Sequence, residues 1–151
     1  MQLSRNFSLD EFLVSQTAER HGIDMSPSPE IEQNIRNYVE TLLQPLRDEV
    51  KRAIFISSGY RPEELNTRIG GSRTSAHMFG EAADFRVAGM SPYEVCIVIR
   101  DMDLPYDQNI HEFGRWTHLG GRLNPRGQDL TAHRKDGATV YTPGILTMEE
   151  V

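Results

Sequence analysis

The sequence predicts an α+β fold in which a small antiparallel sheet is flanked by helices. Helical patterns come first along the chain, and short β-rich segments separated by turn signals follow. The 151 residues, 38% hydrophobic and 25% charged, are typical of one soluble globular domain. We therefore expect a single domain over residues 1–151, with a helical part at 1–52, a core at 53–120, and a hairpin and tail at 121–151.

The N-terminal part carries two helix starts. Ser8 and Glu11 form a capping-box pattern, which predicts a short helix from Leu9. Ser28 and Pro29 open a second helix, whose apolar residues recur at helical spacing up to Val50. Pro45 interrupts this pattern and should kink or split the helix.

The rest of the chain alternates short strands, short helices and turns. Strands are predicted at 53–57, 82–87, 108–113, 115–119, 130–134 and 138–141. Helices are predicted at 62–69 and from Ser91, a second capping box, to about Met102. Residues 71–76 form a polar loop, and Asp136-Gly137 is a hairpin turn signal.

Charge and composition exclude several classes of function. The net charge of −6 argues against nucleic acid as a partner, and no apolar run is long enough for membrane insertion. The N-terminus lacks the pattern of a signal peptide, so we expect synthesis as a soluble cytoplasmic protein. We also expect the protein to be a monomer. Cys96, the single cysteine, lies in an apolar run and is interpreted as a buried hydrophobic residue rather than a nucleophile.

Two histidines and one aspartate attract attention as metal ligands. His77 ends the polar loop, Asp84 follows seven residues later on a predicted strand, and Gly80 permits a sharp turn between them. His118 closes a later strand region. Two imidazoles and a carboxylate suffice for a catalytic zinc site, which leaves one position open. The alternative is a surface loop histidine and an aspartate that caps a neighbouring segment.

Three segments in order carry a family resemblance. They are Ser57-Ser58-Gly59-Tyr60-Arg61, Ser75-x-His77-x-x-Gly80-x-Ala82-x-Asp84 and Trp116-x-His118, the last within the segment Asp107-Gln108 to His118. Over residues 42–119 the chain resembles the M15 zinc peptidases, which include D-alanyl-D-alanine carboxypeptidases, D-Ala-D-Ala dipeptidases and phage L-alanyl-D-glutamate endolysins. It looks most like the compact phage and prophage branch.

The resemblance implies a hedgehog-like M15 fold with zinc held by His77, Asp84 and His118. It further implies that Arg61 faces the scissile carbonyl or a substrate carboxylate, a task that suits a fixed guanidinium. Ser75 matches a substrate-binding serine, and Trp116 is expected to pack beside the metal and the substrate. The alternatives are a surface arginine, a loop serine and a core tryptophan.

The general base is assigned to Glu112. Many relatives have an acidic residue three positions before the last histidine, where this chain has Arg115. In the phage branch a glutamate often stands at the position of Glu112, six residues before His118. The other possibilities are Asp107 or Glu81 as the base, or a site that has lost its base.

The implied function is zinc-dependent hydrolysis of amide bonds in peptidoglycan stem peptides, by an endolysin or a D,D- or L,D-type peptidase. Such a protein would act on the wall after release through a holin or lysis, or as part of a virion. The alternatives are a non-hydrolytic zinc or wall-binding domain, such as a phage structural component, and a host or prophage enzyme that acts on another small peptide. Of the remaining histidines, His111 should point to the opposite face of its strand, and His21 and His133 should lie on the surface. His133, with Arg134 and Lys135, could also line the cleft.

Overall fold

A six-stranded sheet forms the centre of the computed structural model, which describes residues 1–151. Its strands are β1 (Ile54–Ser58), β2 (Ala82–Val87), β3 (Gln108–Glu112), β4 (Trp116–Gly120), β5 (Gln128–Lys135) and β6 (Ala138–Pro143). The helices are α1 (Gln16–His21), α2 (Pro29–Tyr38), α3 (Gln44–Val50), α4 (Glu63–Arg68) and α5 (Pro92–Asp101). The predicted α+β fold with a helix-flanked sheet is confirmed.

The sheet is mixed rather than wholly antiparallel. Its order is β1-β2-β4-β3-β5-β6, and only the β3–β5 pair is parallel. The reason is geometric, because β4 runs back along β3 and returns the chain to the level of Gln108. The loop 121–127 then crosses to the other edge of β3, where Gln128 pairs with Gln108 and β5 starts in the same direction.

The main core lies on one side of this sheet. Side chains of β2 and β4 pack there against the long helical segment and α5, and the buried members include Ala83, Phe85, Leu119, Leu42, Leu43, Leu46, Val95 and Ile99. Tyr38 on α2 donates a hydrogen bond from its hydroxyl to the Leu119 carbonyl oxygen at 2.8 Å. The opposite side of the sheet is therefore left for a functional site.

Pro45 divides the long helix as predicted. A π-helical segment, Val39–Leu43, separates α2 from α3 just before the proline. Proline has no N–H to donate and its ring crowds the preceding turn, so the wider turn accommodates both defects without ending the helix. The buried leucines of this segment consequently stay on the core side.

Local signals account for most of the remaining elements. The Ser91 capping box opens α5, whereas that at Ser8 supports only a single 3₁₀ turn, Leu9–Phe12. The helix α1 was not predicted; it has six residues, is capped by Ser15 and ends at Gly22 in the left-handed conformation. No helix has the length and apolar character required to cross a membrane.

Candidate metal centre

The register of β2 and β4 brings two of the predicted metal ligands together. Asp84 on β2 is the direct partner of His118 on β4, so both side chains lie on the same face of the sheet. Their neighbours along the strands, Phe85 and Leu119, point the other way into the helical core. We call the face that carries Asp84 and His118 the site face.

His77 reaches the site face from a short 3₁₀ turn, Ala76–Phe79, that follows the polar loop. Gly80 ends this turn with a φ of +71°, as expected for the sharp turn predicted at this position. A Cβ atom there would also lie 2.7 Å from Cγ1 of Ile35. Conformation and space therefore both require glycine between His77 and Asp84.

The three predicted ligands converge on one carboxylate oxygen. Oδ1 of Asp84 lies 3.2 Å from Nε2 of His77 and 2.8 Å from Nδ1 of His118. The three candidate ligand atoms all lie within 4.8 Å of one another. His77 is only 1% exposed, so the alternative of a surface loop histidine is wrong.

The hydrogen bonding of His77 shows that this group could hold a cation. Nδ1 lies 2.7 Å from the Gly59 carbonyl oxygen and can only donate to it, which leaves the lone pair of Nε2 facing Asp84 in the neutral ring. Burial lowers the pKa of His77 and favours that neutral form, although the Asp84 charge opposes the shift. A nitrogen lone pair and a carboxylate oxygen repel each other unless a cation lies between them, so the residues fit a metal ion.

Asp84 and His118 shift each other's pKa. Burial alone would raise the pKa of Asp84, but His77 and His118 outweigh it and hold that pKa well below its ordinary range. Burial alone would lower the pKa of His118, but its hydrogen bond with Asp84 raises it. Asp84 is therefore an ionised carboxylate, the form that binds a metal.

Gly59 supports His77 from the loop after β1. Besides accepting from His77, it packs against the N-terminal segment, where an added Cβ would lie 2.7 Å from Cα of Phe12. The next residue, Tyr60, donates its backbone N–H to the Phe12 carbonyl oxygen at 2.8 Å. This role of Gly59 could not be predicted from the motif, because a backbone acceptor leaves no side-chain signal in the sequence.

Glu112 lies next to the cluster, at the end of β3. It pairs with Trp116 across the β3–β4 hairpin and therefore shares the site face with His118, whose Nδ1 is 3.8 Å from its Oε1. Trp116 donates its indole N–H to Oε2 of Glu112 at 3.1 Å. Burial raises the pKa of Glu112 to about 7, with His118 opposing and Asp84 adding to the shift. A carboxyl group of this kind can both accept and release a proton near neutral pH.

The two rival bases occupy other environments. Asp107 accepts hydrogen bonds at 2.9 Å from both Nε and Nη2 of Arg126, and this pairing outweighs burial to lower its pKa. Glu81 is half-buried, and burial raises its pKa while the nearest charges acting on it are those of Arg122 and Asp107. Neither carboxylate forms a hydrogen bond with the His77, Asp84 and His118 group.

Arg61 flanks the cluster on the β1 side. Its Nη2 donates to Oγ of Ser75 at 3.2 Å, and its backbone N–H donates to the His77 carbonyl oxygen at 3.0 Å. Oγ of Ser75 in turn accepts the backbone N–H of His77 at 3.3 Å. Nε of Arg61 is buried without a partner, and burial lowers its pKa. A buried guanidinium with a free N–H is suited to binding a carbonyl or carboxylate.

Two hollows are lined by neighbours of this group, although neither is lined by His77, Asp84, His118 or Glu112. One, of about 380 Å³, lies beside Arg61 and is also lined by residues of α1. The other, of about 670 Å³, lies beside Trp116 at the β3–β4 turn, and His133 and Arg134, but not Lys135, line it. His111 lies on the opposite face as predicted, donating from Nδ1 to the Leu146 carbonyl oxygen at 2.8 Å.

Helices cover one face of the sheet, and the open face gathers two histidines, an aspartate and a further carboxylate. This is the arrangement of a metal-dependent hydrolase. The family model described as Peptidase M15 matches residues 5–120. The chain therefore belongs to the M15 peptidase family, whose members are metallopeptidases. No curated protein gives a match.

Cys96 provides a test of the reaction class. Its thiol is fully buried on α5, and burial raises its pKa to about 12. We expect iodoacetamide at pH 8 to leave the native protein unlabelled and fully active, because only the thiolate reacts. Mass spectrometry should show one added group per chain after unfolding, which serves as the positive control. Rapid labelling of the native protein with loss of activity would instead indicate cysteine chemistry.

Proposed function

We propose that the protein is a zinc-dependent peptidase that hydrolyses amide bonds in peptidoglycan stem peptides. The observation that carries the proposal is the convergence of His77 Nε2 and His118 Nδ1 on Asp84 Oδ1, with Glu112 alongside. Membership of the M15 peptidase family supports peptide hydrolysis. The three-segment motif, which resembles peptidoglycan-cleaving members of that family, supports the choice of substrate.

The donor set favours zinc among the common metals. Two imidazole nitrogens and one carboxylate oxygen are typical of catalytic zinc sites, which keep one position open. When bound, zinc supplies a Lewis acid that polarises the scissile carbonyl and lowers the pKa of water. His77, Asp84 and His118 hold the ion, and the Gly59 carbonyl fixes the His77 ring in the tautomer that can bind it.

The chain's other residues then carry the proton and the developing charge. Glu112 accepts a proton from the attacking water at Oε1 and passes it to the amine that leaves. Trp116 holds Oε2 of this carboxylate and thereby orients Oε1 towards the metal ligands. Arg61 donates hydrogen bonds to the carbonyl oxygen as negative charge develops, or to a carboxylate of the substrate.

Digestion of purified sacculi tests the function directly. The zinc-loaded protein should release new amines, and mass spectrometry of the muropeptides should identify the bond. Free D-alanine indicates a carboxypeptidase, and a new N-terminal D-glutamate indicates an endopeptidase. Binding to sacculi without any new amine would overturn the proposal in favour of a wall-binding domain. Since the wall lies outside the cytoplasm, we also propose that the protein acts after release or within a virion.

Arg61→Lys is expected to lower kcat/KM by about 30- to 1,000-fold while zinc remains bound. Lysine keeps the positive charge but loses the planar donor fork, and loss of one such transition-state contact costs about 2–4 kcal/mol. Steady-state kinetics with elemental analysis of the same samples provide the measurement. Arg100→Lys, at an exposed site on α5 beside Asp101, is the matched control. Unchanged kinetics in Arg61→Lys would remove Arg61 from the mechanism.

A further inference from the structure

The strands β5 and β6 extend the site face beyond the part of the chain that the family match covers. That match ends at residue 120, whereas β5 begins at Gln128. On the face that carries Asp84 and His118, the register continues from His118 to Ile110, then to Leu130, then to Pro143. These three positions are apolar and lead away from the metal ligands, and the last two belong to the added strands.

A second row runs parallel to the first. Glu112 pairs with Ala132, and Ala132 pairs with Tyr141, so all three side chains lie on the site face. Ala132 is fully buried, whereas Tyr141 is 53% exposed. The Ala132 methyl group is therefore covered by its neighbours, and the exposed apolar surface of this row is the Tyr141 ring.

Tyr141 is close enough to Glu112 and Asp84 for their charges to affect its phenol. Partial burial raises the pKa of its phenol, and the charges of Glu112 and then Asp84 add to the shift. Strands lie about 4.8 Å apart, so Tyr141 on β6 stands about 10 Å from Glu112 on β3. From His118 on β4 to β6 the distance is about 14 Å, the length of about four extended residues.

We propose that β5 and β6 form a subsite for the stem peptide, in which Leu130, Pro143 and the Tyr141 ring supply the accessible apolar surface above the buried Ile110 and Ala132. This inference rests on the proposed function and names the binding residues on the side away from Arg61. The two rows contain no charged side chain between Glu112 and β6, so they suit the aliphatic part of an extended peptide. Continuity with the metal ligands identifies the same peptide that is cleaved as the occupant.

Two substitutions at Tyr141 test the subsite. Tyr141→Thr removes the ring but keeps strand propensity, and Tyr141→Phe keeps the ring. We expect Tyr141→Thr to raise KM for the free stem tetrapeptide by about 10-fold with kcat within a few-fold of wild type, because one apolar contact is worth about that much. Tyr141→Phe should behave like wild type. Phe55→Thr, a truncation of an exposed aromatic residue on β1, is the matched control and should leave KM unchanged.

A binding measurement separates failure of this inference from failure of the proposed function. Trp116 is the only tryptophan and contacts Glu112, so its fluorescence can report binding of the tetrapeptide to the zinc-loaded protein. If wild type binds without cleavage and Tyr141→Thr weakens that binding, the subsite stands and the proposed function falls. If wild type cleaves but Tyr141→Thr matches it in KM, the inference falls alone. An effect seen only with the disaccharide-linked peptide would assign the ring to the glycan and would also overturn it.

Discussion

Glu112→Gln is expected to lower kcat by about 100- to 10,000-fold, the usual range for a positioned acid–base group. Glutamine keeps the size of the side chain and can still accept the indole N–H of Trp116, but it cannot carry a proton. Fold and zinc content should therefore stay normal. Steady-state hydrolysis of muropeptides, with circular dichroism and elemental analysis of the same samples, measures all three quantities.

The controls for this substitution are the two carboxylates that were considered as alternative bases. Glu81→Gln and Asp107→Asn should keep kcat within a few-fold of wild type, because neither side chain bonds to the metal ligands. Asp107→Asn weakens the ion pair with Arg126, so its Tm should be measured alongside. Full activity in Glu112→Gln together with an inactive Glu81→Gln or Asp107→Asn would transfer the role of base to the latter.

Loss of any one metal ligand is expected to abolish hydrolysis by emptying the site. His77→Ala, Asp84→Asn and His118→Ala should each weaken zinc binding by more than about 100-fold, beyond the loss seen when a residue that only supports a ligand is removed. Equilibrium dialysis against zinc gives the affinities. In wild type, a chelator should stop hydrolysis and added zinc should restore it.

His21→Ala provides the matched control, since His21 is exposed at the end of α1 and should bind no ion. Wild-type zinc content in His118→Ala, with none in His77→Ala, would contradict a shared site. Equal loss in all three ligand variants, with normal circular dichroism, is the expected pattern.

The candidate ligands could be predicted from the sequence because local rules determine much of their geometry. A turn ended by Gly80 and the start of β2 account for the seven-residue step from His77 to Asp84. The β3–β4 hairpin sets His118 back beside Ile110, and the alternation of strand residues puts Glu112 on the same face. The family resemblance thus indicated these residues, and the turn, the hairpin and the strand alternation explain why they meet.

Features that depend on pairing between segments far apart in the chain could not be predicted from the sequence. Which edge of β3 receives β5 is decided by the path of the loop 121–127, and no residue pattern encodes it. The ion pair of Asp107 with Arg126 connects the residue before β3 to that same loop. Because this pairing is not visible in the sequence, Asp107 looked like an unpaired carboxylate. Tyr141 had no signal because its importance comes only from its register with Glu112.

Hydrogen bonds of the loop after β1 connect the N-terminal segment to the metal ligands, so the stability of these segments is linked. Phe12 accepts from Tyr60, Gly59 accepts from His77, and His77 accepts from Arg61, so these segments must open together. An ion held by His77 therefore opposes local unfolding of residues near Phe12, and fraying of that segment lowers the affinity for the ion by the same free energy. We therefore expect limited proteolysis to cleave the N-terminal segment sooner in a chain without its ion than in a loaded chain.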